Sequence, residues 1–536
     1  MPGNRPSDSG GAPLRFHARF ERNAATFPGR TAVTLAGRDV SYGELDVLAE
    51  RHRTALVGRG AVAGDRVALY AELSVQTIAA VIGILKAGCV LVTTHPSFSR
   101  RKLCHQINET EAAFLITGRP DTFSGVFDET PLDAVLPVDT GRSAPRTLVR
   151  SRPLASPRSA DPQIPLEGSL AALFYTSGSS GAPKGVATSH ENMDAAFRAV
   201  TAHQKNTADD AVLTFTPIGS DFGFHNVMMP LSFGGRVVAF PAMPVRPHEL
   251  IELINREQVT ALHAFPPVLA HLCRADDLHR YALPSVRYIS SSGQRLPPEH
   301  IARLRKAFPD VLIHSMYGLS ECKRVAYLPP EEADRRPTSV GLPLPEVRTY
   351  LVDDDGRLVT GHDTVGELAV AGDLVTQGYW RDPELTSRVL KRNVFGEAKV
   401  FFTGDLFRKD RDGFLYWVAR RDELFARAMV KVDPQEVEAR VRAFPGVADC
   451  AVVPLADELA GSVPVACVVL DEGAAADPEA IVEHCARTLD WHMVPARVVF
   501  HDVLPLTDSG KTDKRALVRG LEASESDRRN GAQDDR

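Results

Sequence analysis

The stretch GDRVALYAELSVQTIAAVIGILKAGCVLVTTHP, Gly64–Pro96, decides how this chain is read. Two short apolar runs flank a segment that is apolar on every side and too short to cross a membrane. Neither run alternates polar and apolar residues, so each reads as a strand buried on both faces, and the segment between them as a crossover helix. That is a βαβ unit on a parallel sheet. The same alternation returns over residues 211–241, 259–272 and 286–316, and no internal repeat is evident. Upstream, RTAVTLAGRDVSYGELDVLAERHRTAL has two β-like runs around AGRD. Ser41 and Glu44 then stand at capping-box spacing before an amphipathic helix. Residues 118–167 turn to Pro, Ser, Arg and Asp, which predicts a subdomain crossing or a surface excursion.

From about 340 to 418 the pattern is more β-like, with TYLVDDDGRLV reading as a hairpin around Asp355–Gly356. Beyond Asp422, helical and strand patterns alternate in a unit large enough for a small α+β domain. The expectation is an α/β protein: a large N-terminal domain (14–420) of layered βαβ-type subdomains with a small β-structured subdomain. A hinge at 421–422 leads to a small mobile α+β C-terminal domain (423–520). Residues 1–13 and 521–536 read as disordered tails, rich in Gly, Pro and Ser or in charge.

Composition bounds the function. The 536 residues are 44% hydrophobic and 24% charged with a net charge of −6, which gives no electrostatic reason to bind nucleic acid or an anionic membrane. The seven cysteines contain no C-x-x-C pair, which argues against a zinc ribbon or a disulfide framework. No apolar run approaches the roughly 18 residues of a membrane span, and the N-terminus has no signal-like apolar core. A cytoplasmic protein is expected.

Chemistry first shows in LFYTSGSSGAPKGV, Leu173–Val186. An apolar strand runs into glycines, hydroxyls and a lysine, a cradle for an anion such as phosphate. It is not the G-x-x-x-x-G-K-[ST] loop: Pro183 comes five residues after Gly178, and Gly185 follows Lys184. Four further motifs follow in order: YGLSE (317–321), GELAVAGDLVTQGYW (366–380), FFTGDLFRKDRDGFLYWVARRDE (401–423) and PLTDSGKTDKRAL (505–517).

This ordered set resembles the adenylate-forming superfamily of acyl-CoA synthetases, peptide-synthetase adenylation enzymes and luciferases, over nearly the whole chain. The resemblance implies that a carboxylate attacks the α-phosphorus of ATP, pyrophosphate leaves, and a thiol then displaces AMP. It makes Thr176, Ser177, Gly178, Ser179, Ser180 and Lys184 the pyrophosphate-holding loop. Tyr317 becomes the adenine-stacking aromatic, with Gly318 and Ser320 beside it, and Glu321 the ligand of Mg²⁺. Asp405 accepts from the ribose hydroxyls and Arg420 is a second nucleotide contact. Ser291, Ser292, Gly293 and Gln294 line the pocket beside adenine and acid. Lys511 is the catalytic cation for adenylation, delivered by the C-terminal domain pivoting at Asp422. Around that pivot the pattern departs from relatives, with Ala419 for the leading glycine, Ala426 for a basic residue and Met429 for a loop glycine.

The resemblance also places Asp221, with Phe222 beside it, where amino-acid-activating relatives hold the substrate ammonium; the other reading of Asp221 is a helix N-cap. Lys323 and Arg324 follow Glu321, either to bind a second carboxylate or to face phosphate or solvent. This combination is similar to stand-alone ligases that load β-amino acids, acidic ones such as 3-methylaspartate included, onto a discrete acyl carrier protein. The implied substrates are ATP with Mg²⁺ and an amino acid, and the acceptor is phosphopantetheine on a carrier acting in trans. The alternative is an acyl-CoA synthetase for a simple acid using free CoA. A luciferase-like oxidase and a non-enzymatic adenylate sensor are further rivals.

Overall fold

The computed structural model describes residues 15–531, apart from 97, 124, 140–146, 150–169, 178–182, 241–245, 276–277, 293–295, 422–424, 428–429, 458–460 and 508–511. Residues 1–13, Asp422, Met429 and Lys511 therefore lie outside the described residues.

The opening stretch folds as its pattern predicts. Strands Arg66–Tyr70 and Val90–Thr93 pair in parallel, with Arg66 opposite Val90, across the helix Val75–Lys86. Ser74 caps that helix by accepting from the Thr77 N–H at 3.0 Å. Every residue from Thr77 to Leu85 is buried, because the helix lies between its sheet and the helix Tyr42–Val57. A Cβ on Gly83 would lie 2.6 Å from the Ala49 carbonyl oxygen, so glycine there sets how closely the two helices approach. The Ser41–Glu44 capping box is present, with the Ser41 N–H donating to Glu44 Oε2 at 2.8 Å.

The described strands form four sheets. One runs, edge to edge, through Gly378–Tyr379, Pro183–Ser189, Leu170–Ser177, Val90–Thr93, Arg66–Tyr70, Phe114–Thr117, Ala134–Pro137 and Leu148–Val149. A second has the parallel core Leu312–Tyr317, Tyr288–Ser291, Ala261–Ala264, Ala211–Thr214, Arg236–Ala239 and Thr31–Leu35. The third, Arg348–Val352, Gly366–Ala371, Glu397–Lys409, Leu390–Val394 and Leu415–Arg420, is the antiparallel subdomain. The fourth centres on Val447–Asp457 and Gly461–Leu470. With helices Pro434–Arg442, Pro478–Ala486 and Lys514–Gly531 it makes the α+β C-terminal domain. The α/β class and the large-plus-small arrangement match expectation.

Three local readings change. The stretch expected to be a crossing or an excursion contributes strands Ala134–Pro137 and Leu148–Val149 to the first sheet, both too short to show a period. The hairpin at Asp355–Gly356 closes through a single bridge, Val352 to Leu358, while the main partner of strand Arg348–Val352 is Gly366–Ala371. The tail assigned to 521–536 is helical through Gly531. Leu517 and Leu521 are buried and anchor a helix whose later residues are charged and helix-compatible. Among the described residues no helix is long and apolar enough to cross a membrane, and all seven cysteines are buried and unpaired.

Candidate active site

The candidate site gathers at the carboxyl ends of the parallel strands of the second sheet, where open α/β sheets leave a crevice. The strands on either side of the glycine-rich loop pair antiparallel, with Thr176 opposite Lys184 and Ser177 opposite Pro183. A strand, not a helix, follows it, the structural counterpart of its departure from the G-x-x-x-x-G-K-[ST] pattern. Gly178, Ser179 and Ser180 lie outside the described residues. The short strand Gly378–Tyr379 pairs with the strand after the loop, Tyr379 opposite Val186, which sets the Tyr379 ring 5.7 Å from the Lys184 ammonium. The Tyr379 hydroxyl donates to Glu321 Oε1 at 2.7 Å. One phenol thus joins the phosphate-type strand pair to the carboxylate assigned to the metal.

Strand Leu312–Tyr317 ends in a tight loop back to the antiparallel strand Ala326–Leu328, closed by the Val325 N–H donating to the Tyr317 carbonyl at 2.9 Å. A Cβ on Gly318 would sit 1.9 Å from the Lys323 carbonyl oxygen, so only glycine fits. Tyr317 meets Phe407 edge to face at 4.9 Å, and its hydroxyl donates to Asp405 Oδ2. Burial first, then the Asp405 charge, push the Tyr317 phenol far above its usual range, so it stays a donor. Asp405 is opposite Arg420 across the strand pair, Arg420 Nη1 lying 3.4 Å from Asp405 Oδ1. Tyr317, Asp405 and Arg420 are brought together. Ser320 lies in the same loop as Glu321 and is half-buried.

The acid-pocket candidates converge from four elements. Asp221 is the first residue of the helix Asp221–Phe233, and the cap is Ser220, whose hydroxyl accepts from the Gly223 N–H at 3.0 Å. Asp221 is therefore not the N-cap. Its carboxylate takes a hydrogen bond from the Lys323 ammonium at 2.9 Å, and that ammonium also donates to Thr188 Oγ1 at 3.1 Å. Lys323 is wholly buried, lies 4.3 Å from the Phe174 ring centre, and adopts φ +53°, a costly conformation for a side chain with a Cβ. Burial would raise the Asp221 carboxyl, but the Lys323 charge and hydrogen bond, with the Arg324 charge adding to them, hold it below its ordinary value. Lys323 is thus engaged by Asp221 and Thr188.

Arg324 stacks 5.1 Å from the Phe222 ring and donates to the Lys323 carbonyl at 3.2 Å. Among the described residues no carboxylate pairs with it within 4 Å; burial lowers its pKa and the charge of Asp221 opposes that. Arg324, Phe222, His225, Asn226, His263 and Ser290 line a small cavity, partly open to solvent. His263 is held between Asn226 (3.1 Å) and the Tyr288 hydroxyl (3.0 Å). Burial, then nearby cations, lower His225 and His263 to about 3, so both are neutral near pH 7. The charged groups around the cavity are Asp221, Lys323 and Arg324, a surplus of one positive charge. Ser291 and Ser292 are buried at the end of strand Tyr288–Ser291, and among the described residues the Ser291 hydroxyl has no hydrogen-bond partner. Gly293, Gln294, Asp422 and Lys511 lie outside the described residues.

Two residues escaped the sequence reading. Tyr379 sits inside the quoted GELAVAGDLVTQGYW, but nothing local ties it to Glu321. His225 stands four residues after Asp221, one helical turn along the same face, and that spacing was the available signal.

Residues 20–380 match the AMP-binding enzyme family and residues 436–511 its C-terminal domain. The chain belongs to the AMP-binding enzyme family. Members of this family form adenylates as AMP-forming ligases, and the chain carries the two-part fold of such an enzyme. An L-proline–[L-prolyl-carrier protein] ligase of Streptomyces coelicolor is 31% identical over 90% of this chain and 92% of its own length. A plipastatin synthase protein of Bacillus subtilis is 28% identical over 94% of this chain, and the chain spans only 19% of the length of that much longer relative. ATP-bound MatB of Rhodopseudomonas palustris superposes with a TM-score of 0.81 at 25% identity, covering 94% of this chain and 98% of that one. Glu321 has the chemistry of a ligand for a hard cation such as Mg²⁺: one carboxylate oxygen is fixed by Tyr379, and it would share such an ion with nucleotide phosphates.

Proposed function

We propose that this chain activates an acidic amino acid, a β-amino acid such as 3-methylaspartate, with ATP and Mg²⁺. The acyl group then passes to the phosphopantetheine thiol of a discrete carrier protein. The observation that carries the reading is Arg324: a buried guanidinium at the cavity wall without a described carboxylate partner. A buried charge is costly unless compensated, and a second carboxylate on the substrate would compensate it. Asp221 keeps acceptor capacity beyond its bond to Lys323, since a carboxylate offers about four lone-pair sites. It would hold the substrate ammonium, and the reacting carboxylate would face the nucleotide side. Tyr317, Asp405 and Arg420 would bind the nucleoside, and Glu321 with Lys184 the metal and phosphates. The carrier-protein ligase among the relatives supports the choice of acceptor.

The test is ATP–pyrophosphate exchange with α-amino, β-amino, dicarboxylic and fatty acids. Exchange should be strongest with acids bearing both an amine and a second carboxylate. Arg324→Gln should raise KM for those acids by about 10- to 100-fold, the scale of one charge-assisted contact, with KM for ATP little changed. Strongest exchange with a fatty acid, or an Arg324→Gln enzyme with unaltered acid KM, would reject the reading.

A further inference from the structure

His225 is an anomaly in the cavity wall. It is 2% exposed, lies one turn along the helix from Asp221, and is braced by the edge of Phe197 at 4.9 Å. Its Nδ1 is 3.9 Å from Asp221 Oδ1, too far for a hydrogen bond, and among the described residues neither ring nitrogen makes one of good geometry, although the Asp221 backbone carbonyl approaches the ring. Among the described residues the Asn226 amide nitrogen beside it has no partner either. Buried polar atoms left unpaired at a cavity wall point to a ligand that pairs them.

We propose that His225 is a specificity-determining residue that accepts a hydrogen bond from the substrate ammonium together with Asp221. This rests on the amino-acid activation proposed above. An ammonium nitrogen about 2.9 Å from both acceptors would see them about 85° apart, an angle its N–H bonds can serve. A neutral imidazole has one acceptor nitrogen, and the proton on the other remains a donor for a further polar atom of the ligand. The ring stays an acceptor because burial, with the charges of Arg324 and Lys323 and against the pull of Asp221, lowers it to about 3. His263, the other imidazole on this wall, is neutral as well and already held on both sides. A carboxylate is the poorer occupant of this corner, since Asp221 would repel it, whereas Arg324 awaits one.

The test is calorimetric binding of 3-methylaspartate and of its deaminated analogue methylsuccinate to the full chain. The proteins are the wild type, His225→Phe and His225→Gln, with exchange assays alongside. The wild type should favour the amine-bearing acid by about 30-fold or more, and His225→Phe should cut that ratio by about tenfold. His225→Gln keeps an acceptor and should recover most of it, the loss in exchange falling on KM for the acid. Should the Phe variant fail to fold, His225→Leu is read in its place. An unchanged ratio in the variant, or a wild type indifferent to the amine, overturns the proposal. Absence of exchange with every acid would instead sink the proposed function, while the binding ratio still decides the role of His225.

Discussion

The Lys323 ammonium lies 2.9 Å from Asp221 Oδ1, and the two residues are 102 positions apart in the chain. This ion pair bridges the helix that begins at Asp221 and the loop that carries Glu321, so it fixes the cavity's shape as well as its charge. Removing one partner leaves the other charged and buried. Lys323→Met should destabilise the chain by about 3–5 kcal/mol, and Asp221→Leu combined with it should recover much of the loss. Urea titrations of the single and double variants check this. A single variant as stable as the wild type would show that the pair contributes nothing to the fold.

The Tyr379–Glu321 hydrogen bond predicts a metal phenotype. Tyr379→Phe keeps the ring against Lys184 and removes the hydroxyl that orients the carboxylate. Partners behind a metal ligand typically matter by about 10- to 100-fold in affinity. Calorimetric titration of Mg²⁺ into the ATP-loaded variant should show a loss of that order, with binding of the acid unaltered.

Acid should unfold the large domain early. Burial leads the causes that lower His17, His52 and His203 to about 4, and His190, His225, His263 and His314 to about 3. Between those values and the ordinary pKa of 6.5 the unfolded chain binds protons that the native chain refuses. Stability therefore falls as pH drops below about 6.5. Each histidine costs about 1 kcal/mol on going from pH 7 to pH 5.5, which together approaches the whole stability of a domain. Urea midpoints at pH 7.5 and 5.5 should differ steeply, and a flat profile would contradict the burial of these rings.

Lys511, which lies outside the described residues, is assigned to the adenylation step by the family resemblance alone. Lys511→Ala should slow acyl-adenylate formation by about 100-fold or more, while thioester formation from supplied acyl-adenylate suffers much less. Stopped assays of the two half-reactions separate these outcomes. Equal damage to both would remove Lys511 from that role.

Local patterning made much of the fold legible. The Ser41–Glu44 box, the crossover helix and the parallel strands around it follow from spacing within a few residues, and the structure repeats them. Strands Ala134–Pro137 and Leu148–Val149 were not legible, because four and two residues are too few to display a period. The helix beyond Leu521 was missed because a charged, polar composition is shared by disordered tails and by solvated helix ends. At the site, Tyr317, Glu321 and Asp405 could be picked out because each sits in a motif. Tyr379 could not be tied to Glu321, 58 residues before it, and nothing in ECKRV says which cation faces Asp221.

By itself the sequence determined the layered α/β architecture, the glycine-hydroxyl loop behind its strand and the order of the motifs that mark an AMP-binding enzyme. Those features are written in spacings of two to five residues, the range over which strand and helix periods and caps operate. Only the tertiary structure decided that Ser220 caps the helix while Asp221 holds Lys323, that Arg324 is left facing the cavity, and that His225 is buried with no well-formed hydrogen bond among the described residues. Those outcomes depend on which side chains from distant strands and loops meet in a space too small to leave a charge uncompensated, and no local pattern encodes that.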